Sequence, residues 1–487
     1  MVLENWFPTK SSIRARGGSQ KYATISTGPV LRMWTYKSGS AEQFLASDET
    51  NIFNITTVAD PDVAPTAEVT GQTAGYYSVA QIGTAGGDYQ YIVNGADEAL
   101  LYDGTTFTPI NGVSTPAITG VTTSTFSHVS LYASRLYFVE KNTMSIWYLP
   151  VDSIGGAAAE FSLAGIFQEG GAVIFCGKWS LDSGDGLDDK FVVVSNQGEV
   201  AVYQGLYPGD AAWTKVGVYK IAPSMGINAV MTAGGDFLMA TEDGIVPISE
   251  AVNKDAAALS LASITRNIEP DWRKEVALRS AMPWEIMKWP TKNMAVVSLP
   301  VVDEGVSAKC YVVNLETGSW TFYTGWETRS LCHYENGGDY GNNTGVIYQM
   351  ETGASDDGSP YTCTYVGLPD HIKSVGQFKV FHSARGTFQS NIAFRPKVSG
   401  STNYKVSLPS APSAAADTTA SLWDVGLWDV ATWDAGSVQQ VSTKWFSVGR
   451  SGYAFMPQLQ LTLGNSILPQ IELISIDLIY ENGGVMV

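Results

Sequence analysis

Charged side chains are scarce in this sequence. Asp, Glu, Lys and Arg make up 16% of its 487 residues, against about 25% in typical soluble domains. The 29 basic residues are outnumbered by 47 acidic ones, for a formal net charge of −18. A surface that grips nucleic-acid phosphates needs clustered Lys and Arg, so the composition argues against one. It is compatible with simple solubility, or with an acidic wall that repels passing DNA over about 10 Å at moderate salt.

Cysteine and histidine are also rare, which excludes several kinds of site. The four cysteines lie singly, without the paired spacing of a disulfide framework or zinc site: Cys176, Cys310, Cys332 and Cys363. The four histidines share no i, i+4 spacing and no nearby acidic motif: His128, His333, His371 and His382. No P-loop, dinucleotide fingerprint or nucleophile elbow is present. We therefore predict no catalytic residue, no cofactor and no enzymatic activity.

One acidic loop, at residues 182–189, is the only candidate for a metal site. It contains Asp182, Asp185, Asp188 and Asp189, whose oxygens are of the kind that calcium prefers. It lacks the alternation of an EF-hand loop and a distal bidentate Glu. A solvated loop between strands is the better interpretation, and we predict no metal.

Long apolar runs are missing as well. No run approaches the roughly 18 apolar residues of a membrane helix, and the first residues lack the basic and apolar regions of a signal peptide. We expect no membrane segment and folding in a reducing cytoplasm.

What the sequence does contain is a recurring pair of strand-like segments. An apolar run, a polar break rich in Gly or acidic residues, and a second run holding an aromatic or Val/Ile follow one another several times. The first runs begin at Phe44, Tyr91 and Tyr137, 47 and 46 positions apart, and again at Phe191 and Phe237, 46 apart. A period of roughly 40–50 residues fits the four-stranded blade of a β-propeller. We expect the loops between blades to carry turn residues that tolerate positive φ, as in Asn94-Gly95 and Asp103-Gly104.

The repeat is interrupted after Phe237, because the next similar run contains Tyr311, 74 positions later. The gap near residues 250–290 holds the strongest helical segments, one beginning at Asn253 and one over 270–279. The second has Pro at its start, acid early and Arg late, as helix ends favour. We predict a helical insertion between blades, with an ordinary long loop as the alternative.

Beyond residue 355 strands continue but the repeat is lost. We predict an all-β protein: a β-propeller with its N-terminal segment and helical insertion over residues 1–355, and a C-terminal, sandwich-like β domain over 356–487. Within the latter, Trp-Asp recurs every five residues at Trp423, Trp428 and Trp433. Five matches neither a helical nor a strand period. These indoles are candidates for an intermolecular interface or for covering the domain itself.

Several segments resemble the tail nozzle group of short-tailed bacteriophages, also called tail tubular protein B, hub or packaged-DNA stabilisation protein. The resemblance spans nearly the whole chain, although each motif alone is weak. It rests on Glu4-Asn5-Trp6-Phe7-Pro8-Thr9, Arg14-Ala15-Arg16-Gly17-Gly18, Glu269-Pro270-Asp271-Trp272-Arg273, Trp289-Pro290, the run from Thr317 to Trp326, the Trp-Asp segment, and the close from Asp477 to Gly484.

The resemblance implies a virion structural protein, assembled in the host cytoplasm as a homo-oligomeric, hexameric ring in the tail. The ring would lie below the portal and adaptor, carry tail fibres, spikes or needle nearby, retain the genome, and conduct DNA without sequence-specific binding. The family has no known catalytic residues to carry over. Interface candidates are Asn5, Trp6, Phe7, Pro8, Arg14, Arg16, Trp423, Trp428 and Trp433.

Two alternatives stay open at this point. Propellers also house glycan hydrolases built on paired carboxylates, so a host-surface depolymerase is one. A propeller that binds a host receptor is the other.

Overall fold

Antiparallel strands joined by tight turns form seven successive sheets, here called blades 1–7. The computed structural model describes residues 2–180, 189–254, 259, 262–392, 394–415 and 440–485. Four strands precede blade 1: β1 Val2–Glu4, β2 Trp6–Pro8, β3 Ile13–Ala15 and β4 Ser19–Thr24. Three short 3-10 helices lie in connections, at Thr123–Thr125, Arg266–Ile268 and Pro290–Lys292.

The first four blades have four strands each. Blade 1 contains β5 Arg32–Ser38, β6 Ala41–Ser47, β7 Ile52–Asn54 and β8 Ala67–Val69. Blade 2 contains β9 Ser78–Thr84, β10 Gly87–Val93, β11 Ala99–Tyr102 and β12 Phe107–Ile110. A short parallel pair, β13 Ile118–Thr119 with β17 Gly156–Ala157, accompanies blade 3, whose strands are β14 Phe126–Tyr132, β15 Arg135–Glu140, β16 Ser145–Tyr148 and β18 Ala159–Ser162. Blade 4 contains β19 Val173–Trp179, β20 Lys190–Ser195, β21 Glu199–Gln204 and β22 Thr214–Lys220.

The last three blades carry the irregularities. Blade 5 has three strands in the described residues: β23 Val230–Ala233, β24 Asp236–Thr241 and β25 Gly244–Pro247, followed by helices α1 Ile248–Asn253 and α2 Glu269–Arg279. Blade 6 contains β26 Ile286–Trp289, β27 Met294–Leu299, β28 Lys309–Asn314 and β29 Trp320–Thr324. Blade 7 contains β30 Ser330–Tyr334, β31 Gly337–Gly341 and β32 Val346–Met350, and β4 supplies its fourth strand. The N-terminal part of the chain therefore completes the last blade.

Apolar clusters between consecutive blades close the ring. Blades 1 and 2 share one cluster, blades 2 and 3 the next, and the series continues through blades 3–4, 4–5, 5–6 and 6–7. The last cluster joins blade 7 to blade 1, with Ile347 and Cys332 packed beside Phe44 and Phe53. Seven sheets packed face to face in a closed circle are a β-propeller. The predicted all-β propeller fold is confirmed.

The recurring segments of the sequence are the middle strands of the blades. In blades 1–5 they form the second and third strands, which are buried on both faces because neighbouring blades cover them. In β20, for example, Phe191 and the three valines after it are all buried. Gly95 and Gly104 have positive φ as predicted, 69° and 95°, but they turn within blade 2, after its second and third strands, and not between blades.

The sequence repeat does not fully reveal blades 6 and 7, and the structure shows why. In blade 6 the run recognised around Tyr311 is the third strand, and the second strand, Met294–Leu299, was overlooked. In blade 7 the second strand is Gly337–Gly341, in which glycines replace apolar side chains. A Cβ at Gly338 would lie 2.7 Å from the Trp289 ring, so close packing against blade 6 explains a glycine there.

The predicted helical insertion lies between blades 5 and 6. Helix α2 has Pro270 in its first turn and Arg279 in its last, as expected. Its Trp272 is fully buried and packs against Trp284 and Tyr311, while Trp272 Nε1 donates to the Thr241 carbonyl at 3.1 Å. The other predicted helix was expected to begin at Asn253, but α1 ends there; residues 255–258 lie outside the described part.

The C-terminal strands form a two-sheet sandwich with its own core. They are β33 Tyr361–Val366, β34 Gln377–Ser390, β35 Lys397–Thr402, β36 Gln440–Gly452, β37 Phe455–Leu463 and β38 Glu472–Val485. One sheet has the order β1-β33-β37-β35 and continues the sheet of blade 6 through the parallel pair β1–β29; the other has the order β2-β3-β38-β34-β36.

This pairing changes the expected domain boundary. Residues 1–355 were grouped with the propeller, but β1, β2 and β3 belong to the two sheets of the sandwich. Leu3 and Trp6 are buried in its core. Segments distant in sequence thus complete both units: residues 2–15 the sandwich and Ser19–Thr24 the last blade. In the described residues, no helix is long and apolar enough to cross a bilayer.

Candidate functional site

The N-terminal segment passes between propeller and sandwich, and Arg16 lies buried at that junction. Its Nη1 and Nη2 donate to both carboxylate oxygens of Asp356, at 2.9 and 2.6 Å. Its Nε donates to Asn5 Oδ1 at 2.9 Å. The carbonyls of Gly17 and Thr324 accept two further bonds, at 2.8 and 3.0 Å. One guanidinium therefore ties together the N-terminal segment, blade 6 and the connection to the sandwich.

Aromatic rings enclose the same guanidinium. Its Cζ lies 3.7 Å from the ring centroid of Tyr361 and 4.7 Å from that of Trp326, and Trp326 Nε1 also donates to Asp356 at 3.0 Å. Burial by itself disfavours the charged form, but the Asp356 hydrogen bonds together with the charge interactions of Tyr361, Asp356 and Cys363 outweigh it and raise the pKa of Arg16 above its ordinary value. Burial raises the pKa of Tyr361 strongly, so this phenol stays protonated; it donates to the Arg16 carbonyl at 2.5 Å. Arg16 therefore keeps its positive charge at this junction and binds the surrounding segments through it.

Asn5 supports the clamp from the other side. It adopts a left-handed backbone, φ 59°, which Asn tolerates better than most residues. Its Nδ2 donates to Thr324 Oγ1 at 2.9 Å and to the Thr362 carbonyl at 2.7 Å. This amide bridges blade 6 and strand β33 of the sandwich.

The predicted interface residues of the N-terminal segment mostly face the inside of the chain. Asn5, Trp6, Phe7 and Pro8 are buried, as is Arg16. Only Arg14 is partly exposed, with its cation 5.4 Å from the Phe7 ring centroid and 3.5 Å from a Glu351 oxygen. The expectation of contact with another subunit is corrected for the buried residues: they form an interface between two parts of one chain.

Three segments that carry the family resemblance meet at this junction. They are residues 4–9, 14–18 and 317–326, and they supply Asn5, Arg16, Thr324 and Trp326. The sequence offered no signal for the remaining partners, Asp356 and Tyr361, because nothing local links them to residues some 340 positions away.

Two other groups of candidates fall outside the described residues. One is the three indoles of the Trp-Asp segment, Trp423, Trp428 and Trp433. The other is most of the acidic loop, residues 182–188, with Asp182, Asp185 and Asp188. At the end of that loop, Asp189 pairs with Lys178 at 2.9 Å. Across the described part of the chain, no group of three or more His, Cys, Asp or Glu side chains could hold a metal ion.

Sequence reasoning missed a face of the sandwich with exposed apolar residues. On the outer side of the second sheet, Arg385 pairs with Asp477 at 2.5 Å and lies 4.8 Å from the Trp445 ring centroid. Exposed apolar residues share this sheet: Val441 67%, Trp445 41%, Ile474 49% and Ile479 47%. Strand β36 is at the end of the sheet and pairs on one edge only among the described strands. Long edge strands and exposed apolar groups mark surfaces that pair with other chains. We call the outer side of β34, β36 and β38 the outer sheet face.

Comparison with known proteins gives little beyond general likeness. No protein-family profile matches the sequence, and no curated protein matches it. Solved structures with similarity include YCF48 bound to D1 peptide, 12% identical, with a TM-score of 0.37 over 68% of this chain and 94% of that one. YCF48 from Cyanidioschyzon merolae is 10% identical, with a TM-score of 0.39 over 68% and 98%. The computationally designed Ika8 protein is 9% identical, with a TM-score of 0.35 over 68% and 99%.

Proposed function

We propose that this protein is a structural subunit of a short phage tail, the nozzle, and that copies of it form a ring around the path of the DNA. The observation that carries the proposal is the convergence of three resembling segments on the Arg16 junction. The resembling segments lie between positions 5 and 326, far apart in sequence. A single structural role, the attachment of an added β domain to a propeller, would explain why they resemble the same family. The tail nozzle proteins that this sequence resembles are β-propellers with added domains, so this combination is the architecture that the resemblance implies.

The surface supports assembly. A closed ring needs two complementary patches on each subunit, and the outer sheet face, with exposed Val441, Trp445 and Ile479, is suited to be one of them. Its occupant in this proposal is a second copy of the chain. Arg385 and Asp477 on this face already pair with each other, so neither would enter the contact as a lone charge.

The charge supports passage of DNA rather than its capture. With a net charge of −18 per subunit, a ring whose inner wall shares this acidic excess would repel the phosphate backbone at close range. In the tail the ring would sit beneath the portal and adaptor, with fibres, spikes or needle attached nearby.

Light scattering of the purified protein over a range of concentrations tests the proposal. We expect a discrete closed oligomer, hexameric if the resemblance holds. The double variant Val441→Asp/Ile479→Asp should shift it towards monomer, because charge is placed in an apolar contact. Val113→Asp is the matched control, since Val113 is 92% exposed on a propeller loop. Monomers at every concentration, or equal loss of assembly in the control, would count against the proposal.

A further inference from the structure

Five polar side chains surround one end of the propeller axis. Each lies at, or within two residues before, the first residue of the innermost strand of its blade: Arg32 in blade 1, Tyr76 before blade 2, Asn228 before blade 5, Glu285 before blade 6 and Arg329 before blade 7. The innermost strands of a propeller line its central channel. Their starting ends therefore bring these five side chains, here called the axial cluster, to the same mouth.

Glu285 links blade 6 to blade 1, which is not its immediate neighbour in the ring. Its Oε1 accepts from Arg32 Nη1 at 2.7 Å, and its Oε2 accepts from the Leu331 backbone N–H at 2.8 Å. Blade 7 lies between blades 6 and 1, so one carboxylate on blade 6 links three blades. Both of its oxygens are engaged, and it is buried.

Arg329 has no such partner. It is 8% exposed, and its Nη1 is buried with no hydrogen-bond partner in the described part of the chain. Burial lowers the pKa of Arg329, and the nearby Glu285 and Tyr76 offset this only in part. A buried charge is costly unless it is paired. The cluster holds two guanidinium groups against one carboxylate, which leaves one positive charge in surplus.

Three further polar atoms of the cluster are buried without a well-formed hydrogen bond among the described residues: Arg32 Nε, Tyr76 Oη and Asn228 Nδ2. Tyr76 and Asn228 lie beside each other, and Asn228 counteracts part of the rise in the pKa of Tyr76. Burial raises the pKa of Tyr76, so the phenol keeps its proton and can donate. Four donors and a surplus positive charge, contributed by four blades, call for an acceptor with several lone pairs.

We propose that the axial cluster binds a small oxyanion, of the carboxylate or phosphate class, which Arg329 holds as its principal partner. Guanidinium groups match the planar edge of a carboxylate or phosphate oxygens through paired N–H donors. The anion would join blades 1, 2, 5 and 7 at the axis. This inference is independent of the nozzle proposal.

Calorimetric titration and thermal melts of the full chain test it, with inorganic phosphate and acetate as probes and chloride at equal ionic strength as the reference. We expect saturable binding of at least one probe and a melting temperature that rises with its concentration. Phosphate and acetate run separately distinguish the phosphoryl from the carboxylate source.

Two variants and a control sharpen the test. Arg329→Gln should weaken binding about 10- to 100-fold, as expected for hydrogen bonds to a charged group, and Tyr76→Phe by a smaller factor. Without the probe, Arg329→Gln should melt at or above the wild-type temperature, because it removes an uncompensated buried charge. Arg395→Gln, which removes an exposed charge elsewhere, should bind as wild type.

Three results would overturn the inference. One is the absence of any phosphate or acetate effect beyond chloride. Another is wild-type affinity in Arg329→Gln. The third is clear destabilisation of Arg329→Gln in probe-free buffer, which would give Arg329 a purely structural role.

Discussion

Replacing Arg16 with Met should loosen the sandwich from the propeller. The substitution keeps much of the aliphatic volume between Tyr361 and Trp326 but removes five hydrogen bonds. Asp356 is then left without its cation, with a side chain only 17% exposed. The carbonyls of Gly17 and Thr324 lose the Arg16 donor as well, and Asn5 Oδ1 keeps only the Thr324 backbone N–H.

The size of the effect follows from that loss. Removing one partner of a buried ion pair costs about 3–5 kcal/mol, because the other charge stays buried, and Asp356 retains some solvent to soften it. We therefore expect Arg16→Met to lower the free energy of unfolding of the sandwich by about 4 kcal/mol. Lys10→Met is the matched control in the same N-terminal segment. Its ion pair with Glu316 is exposed at both ends, with side-chain exposures of 68% and 48%, so its loss should lower the free energy of unfolding by less than about 1 kcal/mol.

Urea unfolding monitored by tryptophan fluorescence measures the change, since Trp326 lies against Arg16. Limited proteolysis of the connection around residues 351–360 is the second readout, and cleavage should be faster in Arg16→Met. The reasoning is refuted if both variants unfold at the same urea concentration, or if cleavage of that connection is unchanged.

Three further predictions concern buried groups in the propeller. Burial lowers the pKa of His128 from 6.5 to about 4. Because the unfolded chain therefore binds a proton at His128 at a higher pH than the folded protein does, the free energy of unfolding should fall by up to about 3 kcal/mol as pH drops from 6.5 to 4. In thermal melts at stepped pH, His128→Gln should reduce this dependence of stability on pH. Burial, with Glu335 nearby, raises the pKa of Asp339 from 3.8 to about 8. The Asp339 carboxyl is therefore protonated more readily in the folded protein than in the unfolded chain, and stability is lost as pH rises towards 8. Asp339→Asn should stabilise the protein by about 2–4 kcal/mol at pH 8 but hardly at pH 4. A gain that is equal at both pH values would contradict this. Trp272→Ala should lower the free energy of unfolding in urea by about 3–5 kcal/mol, because it leaves a cavity where α2 packs against Trp284 and Tyr311. Arg273→Ala, on the exposed side of the same helix, should change it little.

The blades could be predicted from sequence because their middle strands are covered on both sides. Complete burial demands continuous apolar runs, as in the strand containing Phe191, and such runs recur with the blade. The number of blades could not be counted, since Gly338 replaces an apolar residue where Trp289 packs closely. Nor could the position of residues 2–15, because three-residue strands carry too little pattern to show which sheet they join.

The sequence predicted some of the residues at the Arg16 junction but not their partners. Arg16 and Asn5 were singled out as contact residues, and they do make contacts, but with their own chain. A sequence motif does not reveal whether its partner lies in the same subunit. The axial cluster was invisible, since Arg32, Glu285 and Arg329 are ordinary charged residues until ring closure brings them to one mouth.

Cryo-electron microscopy of the purified, assembled protein tests the central claim most directly. We predict closed rings with a bore wide enough for a DNA duplex, an acidic inner wall, and the outer sheet face around Trp445 buried between neighbouring subunits. Images that contain only single propellers with attached sandwiches, or rings with a strongly basic bore, would contradict the account.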